Sequence, residues 1–175
     1  MSYFKEIQGE HSLIQLFEIG PYNRFDNGRR VELDGSNFSP DNLSEKQRLL
    51  NTVLKQVNSL IDEELSSAGF LIVLKFEEST DQMKPSIGKI LQEIGIVDFN
   101  LIETEIYEDE GNELFNFLFL IEMKGESIQK LIRAFLARHI DLEPYIMAEL
   151  FFVKNDMSTY ANLYDDRGID FIYLK

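Results

Sequence analysis

Residues 101–123 read LIETEIYEDEGNELFNFLFLIEM, and they decide the fold class because two strand patterns lie on either side of a very short connection. In the first half apolar and acidic residues alternate, so Ile102 and Ile106 are expected on one face and Glu103 and Glu105 on the other. In the second half phenylalanines recur at every second position, and the Glu-Gly-Asn sequence between the halves is a hairpin loop signal. Strands joined this closely pair antiparallel.

Outward from this hairpin, three helices are predicted: 43–66, a shorter one over 85–94 that Pro85 opens, and 127–139. In the first and the last of them apolar residues recur at helical spacing. The shorter helix has a stop signal as well. Gly95 follows the second of them and is the expected helix stop. Residues 70–74 read FLIVL, an almost unbroken apolar run that suits a strand covered on both faces.

A short strand pattern at 30–33 and three more between 145 and 174 complete the sequence of elements. The order is strand, helix, strand, helix, hairpin, helix and a three-strand meander. We therefore predict a single α+β domain over residues 1–175, with a mostly antiparallel sheet and about three helices packed on one face.

The composition limits the chemistry and the partners. The chain of 175 residues has no cysteine, which excludes disulfides, thiolate nucleophiles and cysteine zinc sites. Its 31 acidic and 17 basic residues give a net charge of −14, which repels nucleic acid and anionic membranes and attracts basic surfaces. The N-terminus does not have the pattern of a signal peptide, and no apolar run is long enough to span a bilayer, so a cytoplasmic protein is expected.

The acidic residues are unevenly distributed. Between Lys89 and Lys124 there is no lysine or arginine, and nine of the 34 intervening residues are acidic. Six of the nine lie between Glu103 and Glu113, on one strand face and its hairpin loop, where like charges repel and folding does not require them. A solvated hairpin explains them without any function, whereas a surface for a basic partner gives them one. The candidate partner-binding residues are Glu103, Glu105, Glu108, Asp109, Glu110 and Glu113.

The sequence Asp165-Asp166-Arg167-Gly168 lies between two apolar, β-favouring stretches and could be a catalytic cluster, a metal site or a turn. A turn explains all four residues: Asp165 can accept backbone N–H bonds, Arg167 can pair with a carboxylate, and Gly168 can adopt a positive φ. A metal site would need more oxygen ligands nearby, and two adjacent acids are poorly placed for acid–base catalysis. The turn is therefore predicted to be structural, with a secondary binding role left open.

No other pattern indicates catalysis. A glycine-rich phosphate loop, a zinc-protease helix motif and a nucleophile-elbow motif are all missing from the sequence. Of the two histidines, His139 ends an amphipathic segment, where a partial positive charge favours the helix dipole. We therefore expect no catalytic residue, no metal, no cofactor and no enzymatic activity.

The C-terminal sequence from Phe151 to Asp170, with its Tyr-Asp-Asp-Arg-Gly turn, resembles a bacterial family of unknown function. In that family a strand ends in this turn and an apolar strand follows it. Ile19-Gly20 and 30–33 (Arg-Val-Glu-Leu) resemble a second family element. Members of the family occur beside polymorphic toxins, among other contexts, as candidate immunity proteins, which are similar to those of contact-dependent growth inhibition systems.

Two functions follow as expectations. The resemblance and the acidic hairpin suggest an immunity protein that binds and neutralises a basic toxin protein, and nuclease toxins are the leading candidates. Such a protein is expected to contact no nucleic acid and no membrane. The alternative is a household cytosolic domain that binds a ligand or another protein, with or without a weak enzymatic activity.

Overall fold

The computed structural model describes residues 28–34, 40–65, 69–78, 84–109, 112–121, 126–156 and 158–173. Within these residues seven strands form one sheet in the order β1-β7-β6-β5-β2-β4-β3, and every neighbouring pair is antiparallel. The strands are β1 Gly28–Glu32, β2 Phe70–Glu78, β3 Phe99–Asp109, β4 Asn112–Ile121, β5 Glu149–Lys154, β6 Thr159–Leu163 and β7 Gly168–Tyr173.

The helices in the described part of the chain are α1 Leu43–Leu65, α2 Lys84–Glu93 and α3 Glu126–His139. Their apolar stripes pack on one face of the sheet, in a core that includes Val57 of α1, Leu91 of α2 and Phe135 of α3. Burying a side chain of this size contributes about 1.5–3 kcal/mol, against which the conformational entropy lost on folding is set. This confirms the α+β class and the packing of three helices on one face.

Helix ends agree with their local sequence signals. Asn42 caps α1 by accepting a hydrogen bond from the Glu45 backbone N–H at 3.0 Å. Gly95 ends α2 with a φ of +84°, and the next amide, of Ile96, donates to Leu91 O at 2.8 Å. Together with the Gly95 N–H, which donates to Gln92 O at 2.9 Å, this is a Schellman cap, and it confirms Gly95 as the predicted helix stop.

The second face of the sheet is also apolar at its centre. Val73, Leu118, Phe151 and Ile172 are buried there, in a cluster that contains no residue of the three helices. Successive residues of β2 therefore alternate between two buried clusters, which explains the unbroken apolar run from residue 70 to residue 74.

The hairpin of β3 and β4 has an irregularity that the alternating pattern does not reveal. The register shifts between Leu101 and Glu103, so Ile102 is the extra residue of a β-bulge. Ile102 packs against the cluster on the second face, whereas Ile106 lies opposite Phe115, which packs against the helix-side core. The expectation that Ile102 and Ile106 share a face is therefore wrong, because one inserted residue reverses the alternation.

Candidate functional site

The acidic hairpin lies at the margin of the sheet. Among the described strands, β3 is at the edge of the sheet and pairs on one side with β4. Glu103, Glu105, Glu108 and Asp109 lie on β3. Glu113 lies on β4, and Glu110 lies outside the described residues. The described members therefore share one hairpin, but the register divides them between its two faces: Glu103, Glu105 and Asp109 take positions on one face, and Glu108 and Glu113 on the other.

The hairpin register places two carboxylate-bearing residues directly opposite each other. Glu108 is the Cα partner of Glu113, one position before Asp109 pairs with Asn112 at the end of the hairpin. Like charges at directly opposite positions destabilise a strand pair. The effect is comparable in size to the stabilisation from a favourable cross-strand pair, which is about 0.2–1 kcal/mol. The charge arrangement therefore opposes hairpin formation.

Residues 164–167 join β6 to β7, which pair antiparallel and adjacent. Asp165 organises the connection: its carboxylate accepts hydrogen bonds from the Arg167 backbone N–H at 2.7 Å and from Arg167 Nε at 2.6 Å. The Arg167 carbonyl in turn accepts a hydrogen bond from the Leu33 N–H at 2.8 Å, just beyond β1. The turn thus connects β6 to β7 and is hydrogen-bonded to the residue that follows β1.

Gly168 is required for a different reason from the one the turn pattern suggests. Its φ does not lie in the left-handed region, so the expectation of a positive φ is wrong. A Cβ built on Gly168 would overlap the Tyr164 hydroxyl and would lie 2.6 Å from the ring carbon Cζ. Glycine is needed because the Tyr164 ring crosses directly over its backbone.

The Tyr164 ring reaches across Gly168 to a partly buried ion pair. The Arg30 guanidinium lies 4.8 Å from the ring centroid and donates to both Asp170 oxygens, at 2.8 and 3.0 Å. Asp170 is completely buried, whereas the Arg30 side chain is 39 % exposed, so solvent screens the pair on the arginine side. Burial raises the pKa of Tyr164, and the Arg30 charge opposes that rise.

Sequence reasoning missed this ion pair, although a signal for it existed. Asp170 interrupts the apolar strand Ile169–Ile172, and an arginine in another strand is the usual compensation for such a charge. Asn162, the Cα partner of Asp170 in β6, is also buried, and neither of its amide atoms has a hydrogen-bond partner within the described structure. A row of polar side chains therefore crosses the second face of the sheet next to the turn.

Two ionisable groups near the turn have shifted pKa values. Burial lowers the pKa of His139 at the end of α3, and the neighbouring Arg138 charge lowers it further. Burial raises the pKa of Asp166, and the adjacent Asp165 charge adds to the rise. Both shifts disfavour the charged forms, so the interior side of the turn favours neutral groups.

The ligating groups of the described residues are scattered. In the described ranges, no group of three or more histidine, aspartate or glutamate side chains is arranged to hold a metal ion. No helix among these residues has both the length and the apolar character needed to cross a membrane.

Comparison with protein families matches residues 4–175 to the model described as "Domain of unknown function (DUF3885)". Comparison with curated proteins gives no match, and comparison with solved structures also gives none. The match begins before β1 and ends beyond β7, so it covers the acidic hairpin and the Tyr-Asp-Asp-Arg-Gly turn. It also covers Ile19-Gly20 and residues 30–33, which resemble a second sequence element of the family; Ile19-Gly20 lies outside the described residues. The chain therefore belongs to the DUF3885 family.

Proposed function

We propose that this protein is an immunity protein, which binds a basic toxin protein through the acidic hairpin of β3 and β4 and thereby neutralises it. The observation that carries the proposal is Glu108 facing Glu113 in the register of an edge hairpin. Such an arrangement costs folding free energy, and a positively charged partner would compensate that cost in the complex.

Protection against aggregation is the competing explanation of charge on an edge strand. A single charged residue on the edge strand is a common device for this purpose, and it does not require a second acidic residue at the paired register position of the next strand. The stretch from Lys89 to Lys124 also lacks any basic residue that could neutralise the hairpin locally. These features support a role in recognition.

Electrostatic complementarity favours a nuclease as the toxin. Proteins that bind nucleic acid neutralise phosphates with clusters of lysine and arginine, so their substrate surfaces are basic. An acidic hairpin docked on such a surface would exclude the substrate without any chemistry of its own. We therefore infer an inhibitor that acts by binding and needs neither a cofactor nor catalytic residues.

The location of charge is the testable element of the proposal. The hairpin variant combines four neutralisations: Glu103→Gln, Glu105→Gln, Glu108→Gln and Asp109→Asn. A matched control removes four exposed acids outside the hairpin, on or near β1 and α1: Glu32→Gln, Asp34→Asn, Asp41→Asn and Glu63→Gln. Both variants change the net charge equally, so a difference between them reports position.

The measurement is the stopped-flow association rate with the toxin, identified by affinity capture from the source organism and then purified. We expect the hairpin variant to associate at least about tenfold more slowly than the control variant, because oriented charge steers encounter. The hairpin variant should also lose protection of growing cells against the toxin. Equal rates for the two variants would place the contact surface elsewhere.

A second candidate function, a ligand-binding domain, is favoured by one observation. A cavity of about 380 Å³ is lined by residues of the three helices and of the loop that follows α3. It lies within the range of small-molecule sites, about 300–1,000 Å³.

A further inference from the structure

The cavity is lined by α1, the end of α2, α3 and the loop that leads to β5. Small residues create its space. Ala134 and Ala137 lie one turn apart on α3, and a Cβ built on Gly95 would meet no atom within 4 Å. Leu50 and Ile94 are buried beneath it, so the floor is apolar. Larger residues at the small positions would fill the space.

The wall formed by the loop after α3 is held in place by hydrogen bonds. Leu142 N–H donates to Ala137 O at 2.9 Å, and Ile146 N–H donates to Ala134 O at 3.2 Å. Lys46 of α1 pairs with the Asp141 carboxylate at 3.1 Å, which fastens the loop to a second helix. The cavity is therefore largely preformed, as small-molecule sites usually are.

Charged groups of both signs lie around the apolar floor. Lys130 and Arg133 of α3 contribute positive charge, and Glu93 and Glu143 contribute negative charge. Within the described part of the chain, neither cation forms an ion pair with either of these carboxylates. Arg133 instead donates to the Asn51 side chain at 2.9 Å, which fixes its guanidinium against α1.

The end of α2 adds to the negative side of the cavity. Backbone hydrogen bonds cap most of the terminal carbonyl groups of the helix, but its last turn has no basic residue, so no side-chain charge offsets the negative end of the helix dipole. Glu93 belongs to that turn, and Gly95 follows it at the cavity wall. An ammonium group placed there would be attracted by the carboxylate and by the helix end.

We propose that this cavity binds a free α-amino acid with an apolar side chain. The ligand ammonium would lie toward Glu93, Glu143 and the end of α2, and the ligand carboxylate toward Lys130 and Arg133. The apolar side chain would cover the floor formed by Leu50 and Ile94. One ligand would then connect the two sets of charges that the protein leaves apart. The inference is independent of the acidic hairpin, since the two sites share no residue.

The binding test uses the twenty free L-amino acids as probes, each titrated to about 10 mM against the ¹⁵N-labelled full chain. For an apolar amino acid we expect saturable shifts of the Gly95, Ala134 and Leu142 amide signals. Two matched analogues then test the charges, with leucine as the example: 3-methylbutylamine lacks its carboxylate and 4-methylpentanoate lacks its ammonium group. Each should bind at least about tenfold more weakly than leucine, because each loses one charge-assisted set of contacts.

Variants test the location of the site. Lys130→Gln and Glu143→Gln should each raise the Kd at least about fivefold, because each removes a charged group that contacts the ligand. The controls Lys55→Gln and Glu63→Gln remove exposed charges of the same sign from α1, outside the cavity, and should leave the Kd unchanged. The inference is overturned if no amino acid binds saturably, if an analogue binds as tightly as its parent, or if the cavity variants behave like the controls.

Discussion

At the scale of single residues, the absence of a side chain at Gly168 leaves the space that the Tyr164 ring occupies. The Tyr164 ring occupies the space where a Cβ would be, and it thereby contacts the Arg30 guanidinium, which pairs with the buried Asp170. We expect Gly168→Ala to reduce the free energy of unfolding by about 1–3 kcal/mol in urea denaturation, because the added methyl displaces the ring.

Gly88 in α2 offers a matched control for this substitution. A Cβ there would lie 3.5 Å from the Phe99 ring, an ordinary contact, and α2 is helical at that position. Gly88→Ala should therefore leave the stability unchanged or raise it by about 0.5–1 kcal/mol. A Gly168→Ala protein as stable as the wild type would show that the tyrosine ring can move aside without cost.

Asp166 provides a pH-dependent prediction at the same scale. Burial and the Asp165 charge raise its pKa in the folded state above the value in the unfolded chain. A group with a raised folded pKa contributes stability below its unfolded pKa, and this contribution is lost as the pH rises through the folded value. Asparagine imitates the neutral form, so Asp166→Asn should be more stable than the wild type at pH 7. The difference should vanish below the ordinary aspartate pKa of about 3.9.

Urea denaturation between pH 3 and pH 7 measures this difference, and the neighbouring residue supplies the contrast. Asp165 accepts hydrogen bonds from the Arg167 backbone and guanidinium, so Asp165→Asn should lower stability at pH 7. If Asp166→Asn also lowers stability at pH 7, the Asp166 carboxylate is held in its charged form by a partner, and the burial argument is wrong.

At the scale of elements, the sequence was most informative where structure is local. The stripe of apolar residues predicted α1 over 43–66, and the helix is Leu43–Leu65. The predicted hairpin is present with β3 and β4 as neighbours, and Gly95 ends α2 as expected. Each of these features depends on residues close together in the chain, so periodicity and turn chemistry suffice to predict them.

Features that depend on distant residues were not predictable in the same way. The bulge at Ile102 depends on the register with β4, and the need for glycine at 168 depends on the path of the Tyr164 ring. The Arg30–Asp170 pair joins residues 140 positions apart, in strands that become neighbours only in the folded sheet. The acidic hairpin could be recognised in the sequence because its charges are contiguous, whereas the cavity depends on three helices and a loop.

At the scale of the whole molecule, the two edges of the sheet differ in charge. β3 carries the acidic residues at one edge, whereas β1 at the other edge carries Arg29 and Arg30, paired with Glu64 and Asp170. Of the two edge strands of the described sheet, β3 is therefore the acidic one, because it carries four acidic residues and no basic residue. A field with this asymmetry orients an approaching cation and does not merely attract it.

This asymmetry predicts how salt affects binding of the basic partner. Raising the ionic strength from 0.01 to 0.15 M shortens the Debye length from about 30 to about 8 Å, so steering weakens while close contacts persist. The association rate of the wild type should fall steeply over this range, and the dissociation rate should change less. The measurement is stopped-flow association at several salt concentrations, with dissociation followed after dilution.

The two four-residue variants separate position from net charge in the same experiment. Neutralising Glu103, Glu105, Glu108 and Asp109 should flatten the dependence of the association rate on salt, because the oriented part of the field is gone. The control variant at Glu32, Asp34, Asp41 and Glu63 loses as much charge and should keep most of the wild-type slope. If both variants lose the slope equally, only the total charge attracts the partner, and the hairpin has no special role in recognition. If neither variant changes the slope, the association is not electrostatically steered, and the acidic edge must be explained by its effect on solubility and strand protection.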